Sequence, residues 1–173
     1  MVSYVSGRIA AKIKAKVPNH PSSEKVLKYS ISFLINTILS IVVTIIISLW
    51  TGKLNETLIV LCSFALLRRM SGGIHLKSSL ACISVTSIGA NLLSFASLGS
   101  GATVLINSVS LVLVCLLAPA HFQKKKKVTA NSDRWLKVGS ILLVALNFVV
   151  ASPVIAATFF VQSLTLVLIK VRR

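Results

Sequence analysis

The stretch Arg68-Arg69-Met70-Ser71-Gly72-Gly73-Ile74-His75-Leu76-Lys77-Ser78-Ser79-Leu80-Ala81-Cys82 holds two arginines, an adjacent glycine pair, a histidine and a cysteine, and no other part of the chain is comparable. A cysteine thiol has a free pKa of about 8.5, so a reactive one needs a base or a positive field to become a thiolate at neutral pH. His75 can supply the base, and Arg68, Arg69 and Lys77 add to the field. Ser78 or Ser79 is suited to cap a following helix, which puts Cys82 in its first turn, where the helix dipole favours an anion. In one continuous helix the seven-residue separation would leave His75 and Cys82 on one face but about 10.5 Å apart along the axis, too far for a nucleophile and its base. The spacing therefore predicts a bend at the glycine pair, with His75 on a loop folded over the start of the helix that carries Cys82. Backbone amides at Gly72, Gly73 or the helix start could then serve as an oxyanion hole. At this level two plainer readings stand beside the dyad: Cys82 as a packing residue and His75 as a snorkelling interfacial one.

The elements that must hold these residues belong in a bilayer. The chain has 173 residues, 55% hydrophobic and 13% charged, with a mean hydropathy of +0.89, whereas a soluble domain is about one quarter charged. A water-soluble domain is excluded. Of the charged residues 19 are Lys or Arg and 3 are acidic (Glu24, Glu56, Asp133), giving a net charge of +16, which in so apolar a chain means basic loops at a membrane rather than nucleic-acid binding. A crossing needs roughly 20 apolar residues. Charge-free runs predict one span over 29–50, a short one over 54–67, two within 78–123 separated at Gly99-Ser100-Gly101, and two short pieces of about 14 and 17 residues within 138–169, broken at Ser152 and Pro153. The expected fold is an all-α integral membrane bundle of about six transmembrane or membrane-embedded helices in a single domain over residues 1–173. With six spans every basic residue but Lys53 falls on one side, so both termini and the His75–Cys82 segment are expected at the cytoplasmic face of a multi-pass plasma-membrane protein.

The first 28 residues lack the pattern of a cleaved signal peptide and are expected to be retained. Val2, Val5, Ile9, Ile13 and Val17 recur at helical spacing beside Arg8, Lys12 and Lys16, which fits an interfacial helix ending near Pro18 or, equally, a loosely ordered basic segment. Cys62 and Cys115 fall inside apolar runs and read as packing residues; no disulfide framework is expected. His20 and His121 read as solvated loop residues. No metal site and no cofactor is expected, because ligand-like spacing is absent. Asn36, Asn91, Asn107, Asn147 and Gln162 lie within spans, where amides bond between helices. Lys124, Lys125, Lys126 and Lys127 read as a topology signal touching anionic lipid.

The pattern Arg68, Gly72-Gly73, His75, Cys82 in a basic six-span chain resembles the accessory gene regulator B family, bacterial membrane endopeptidases that process a quorum-sensing propeptide; the likeness in span layout covers nearly the whole chain. The resemblance implies His75 as general base and Cys82 as nucleophile. It also implies an AgrD-type propeptide as partner, cleavage through a thioester to Cys82, and closure of a ring by a Cys or Ser of the substrate. Arg68, Arg69, Gly72, Gly73, Lys77 and the four lysines at 124–127 are the remaining candidates for substrate binding or oxyanion stabilisation. Since no Asp or Glu lies near His75, a dyad is expected rather than a triad. A homodimer is left open. The competing reading is a small non-enzymatic transporter or scaffold subunit; transporters carry intramembrane charge or related halves, and neither is evident here.

Overall fold

The computed structural model describes residues 2–17, 21–73, 78–119 and 130–171. Among these the elements are all helical, in the order α1 (Val2–Lys16), α2 (Glu24–Thr51), α3 (Leu54–Ser71), α4 (Ser79–Leu93), α5 (Ser100–Leu117), α6 (Ala130–Val150) and α7 (Pro153–Val171). The all-α membrane bundle with an additional amino-terminal helix is thus the observed architecture. α2, α5 and α7 are long and apolar enough to cross a bilayer, and α4 is a shorter apolar helix.

Local chemistry sets the boundaries. Ser23 caps α2, its hydroxyl accepting from the Val26 N–H, with Glu24 in the first turn against the positive end of the dipole. Pro153 opens α7 at the position where a missing N–H costs nothing, and the Ser152 hydroxyl accepts from Ile155 N–H. Two expectations change. α6 begins at Ala130 and runs for 21 residues instead of about 14, because Arg134 and Lys137 end an apolar run without ending a helix. α4 stops at Leu93 after 15 residues, so the turn spans 94–99 and precedes the Gly99-Ser100-Gly101 break. Ser94 closes the helix, its N–H reaching Ala90 O and its hydroxyl donating to Asn91 O at 2.6 Å.

α7 is the central post, packing against α3, α4, α5 and α6. Leu166, Ile169 and Phe159 of α7 join Leu67, Val114 and Val144 in the larger apolar core, and a smaller one gathers Val60, Ala90 and Val154. Between helices, small and polar side chains supply the specificity that apolar burial cannot provide inside a lipid. Along the α2–α4 seam, Thr44 donates to the Ser87 hydroxyl at 3.1 Å, Ser87 to Ser40 O at 3.3 Å, and Asn91 to Thr44 O at 3.3 Å. Between α5 and α6, Asn107 donates to Val144 O and Asn147 to Asn107 Oδ1. Four of the five expected amides therefore bridge helices, Gln162 included; Asn36 keeps a buried Oδ1 with no partner. Outward, the surface is apolar: Trp50, Leu80, Leu116 and Val149 are each more than two-thirds exposed, which suits lipid and not water. α1 ends just before Pro18, as its spacing predicts, and lays the small residues Ser6 and Ala10 against α2 while Val5 and Ile9 remain exposed.

Candidate functional site

The helix that carries Arg68 ends where a glycine is required. Gly72 has φ 88° and ψ −175°, a region essentially closed to residues with a Cβ, and its N–H donates to Arg68 O at 3.0 Å. Gly73 is favoured for a different reason. A Cβ there would sit 3.1 Å from Arg68 Cγ, 3.2 Å from Nε and 3.3 Å from Cζ, so the arginine side chain lies along the bare backbone of Gly73. The guanidinium also stands 5.6 Å from the centroid of the Phe64 ring, a cation–π arrangement that fixes its direction. Ser71 donates to Leu67 O at 2.7 Å.

This turn is held from α7. Gln162, fully buried, donates to Gly72 O at 2.7 Å and stands 3.4 Å from the Ser71 hydroxyl, while Thr165 lies 3.4 Å from Gln162 Oε1. Sequence reasoning identified Gln162 only as an interhelical amide; nothing local ties it to a glycine pair 90 residues earlier.

Cys82 stands in the first turn of α4, as the serine spacing predicts. Ser78 is the N-cap, accepting from Ala81 N–H through its hydroxyl, and its carbonyl accepts from Cys82 N–H at 3.0 Å. The cysteine is half-buried and, like Cys62 and Cys115, a free thiol; Cys62 is exposed, pointing out of the bundle rather than packing within it. α3 ends at Ser71 and α4 begins at Ser79, with Gly72 and Ser78 as their caps. His75 and Lys77 lie outside the described residues, as do Lys124, Lys125, Lys126 and Lys127.

Cys82 and Arg68 line one cavity of about 340 Å³ between α3, α4 and α7. Its remaining wall is almost wholly apolar: Val60 and Phe64 from α3, Val85 and Leu93 from α4, Val161 and Leu168 from α7, with Thr86 and Thr165. Val85 and Leu168 are more than half exposed, so the cavity opens sideways through the outer face of the bundle. Arg69 is exposed and takes no part in it. An arginine and a cysteine at one end of an apolar recess can take an extended peptide and hold negative charge beside the sulfur.

The family description Accessory gene regulator B matches residues 6–171. AgrB-like protein 2 of Clostridium perfringens (strain 13 / Type A) is 28% identical over 158 residues, covering 84% of this chain and 73% of its own. An AgrB-like protein of Clostridium perfringens (strain SM101 / Type A) is 27% identical over 157 residues with the same coverage. No solved structure matches the chain. With a match that runs from α1 to the end of α7 and takes in the whole of the cavity, the chain belongs to the accessory gene regulator B family.

Proposed function

We propose that the protein is a membrane cysteine endopeptidase that processes an AgrD-type propeptide, with Cys82 as nucleophile and His75 as general base. The observation that carries this reading is the placement of Cys82 in the capped first turn of α4, in one cavity with Arg68. The cap and the helix dipole favour an anion at the sulfur. Attack of Sγ on the scissile carbonyl passes the thiol proton to His75, which returns it to the leaving amine as the carboxyl-terminal fragment departs. The amino-terminal part remains as a thioester on Cys82. A Cys or Ser within that part then attacks the thioester, closes a ring and frees the thiol; an apolar, water-poor recess favours this over hydrolysis. The Arg68 guanidinium, held by Phe64 and the Gly73 backbone, stabilises the oxyanion.

The test is co-expression with the candidate propeptide, reading the shortened product by mass. Cys82→Ala and His75→Ala each abolish cleavage at unchanged membrane levels, and Cys62→Ala does not. Cleavage that survives Cys82→Ala rejects the reading and leaves the transporter or scaffold alternative.

A further inference from the structure

Gly89 stands in the interior of α4, on the face that carries Cys82 seven residues before it. Glycine is the poorest helix former after proline, and in membrane helices its usual reason is close helix packing. That reason fails here, because a Cβ built on Gly89 meets no atom within 4 Å. What the missing side chain leaves open is the cavity itself, which Gly89 lines together with Cys82, Leu93 and Val161.

We propose that Gly89 keeps open an acyl-side specificity pocket, which takes one bulky apolar side chain: that of the substrate residue whose carbonyl is transferred to Cys82. The inference rests on the thioester reading above and adds to it which residue of the substrate is selected, and by what. Covalent geometry gives the occupant. In a thioester on Sγ, the Cβ of the acyl residue lies within roughly 4 Å of the sulfur, so its side chain enters the space beside Cys82. That space is apolar apart from Arg68 and two threonines, and its size lies near the lower end of ligand sites, roughly 300–1,000 Å³. Helical side chains lean toward the amino terminus. A larger residue at position 89 therefore fills the turn between itself and Cys82, where the far end of a phenylalanine would sit.

The experiment uses full-length protein in lipid nanodiscs and three acyl donors, the thiophenyl esters of N-acetyl-alanine, N-acetyl-leucine and N-acetyl-phenylalanine. Cys82 Sγ forms the new C–S bond, the aryl C–S bond breaks, and the thiol proton leaves with thiophenolate. Acylation of Cys82 is followed by peptide mass mapping. In the wild type the Phe and Leu donors outpace the Ala donor, and Gly89→Leu lowers the Phe-to-Ala rate ratio at least tenfold. Gly89→Ala, which favours the helix, lowers it in the same direction and serves if Gly89→Leu does not fold. A ratio unchanged in both variants, with acylation still dependent on His75, overturns the pocket and leaves the peptidase reading standing. No acylation of wild-type Cys82 by any donor overturns both. An octanoyl thiophenyl ester that outpaces every aminoacyl donor overturns the pocket in favour of a lipid chain.

Discussion

Arg68 and Gly73 act as one unit, because the guanidinium stem rests on backbone that only glycine leaves bare. Gly73→Ala should therefore lower processing by displacing Arg68, while Cys82 stays open to alkylation by a small maleimide; equal activity in the alanine variant would separate the two residues. Arg68→Gln, which removes the guanidinium and its charge, should cut turnover about 10²- to 10³-fold, the usual cost of one oxyanion donor, read as product per unit membrane protein. At this scale the capped turn that carries Cys82 was legible. Ser78 and Cys82 sit four positions apart, and capping is a local rule. Gly72-Gly73 signalled a bend for the same reason. Gly89 was not legible, since a glycine within an apolar run looks alike whether it meets another helix or an empty space.

Among the elements, α7 determines whether the α3–α4 turn keeps its shape. Gln162→Leu leaves the Gly72 carbonyl without its 2.7 Å donor, and should cost about 1–2 kcal/mol, measured as a lower midpoint of thermal unfolding in detergent. Ser87→Ala, at the α2–α4 seam, loses its bonds to Thr44 and Ser40 and should cost about 0.6 kcal/mol, with processing unaffected. Helix count and order followed from the distances between charges. Helix ends did not: charge marks where lipid stops, whereas caps and backbone hydrogen bonds mark where a helix stops. α6 overran the first rule by more than a turn, and α4 fell short of it at Ser94. The bond from Gln162 to Gly72 was beyond reach because hydropathy says nothing of which helices touch.

For the whole molecule, charge asymmetry leads us to propose that the carboxyl terminus is cytoplasmic and the α2–α3 turn at Lys53 external. In a variant lacking all three native cysteines, Lys53→Cys should react with an impermeant maleimide in intact cells, and Arg173→Cys only after lysis; the reverse pattern would invert the orientation. Lys53 pairs locally with Glu56 at 3.1 Å, and an exposed pair of this kind adds little to stability.

The Gln162 tether spans 90 residues of chain, and that separation has a consequence for biosynthesis. A nascent polypeptide that ends with α6 has already made Arg68, Gly72 and Cys82, yet the donor that fixes the turn, Gln162 of α7, is not yet synthesised. The protein thus completes the turn after α3 last, and a product truncated before α7 lacks the hydrogen bond that secures it.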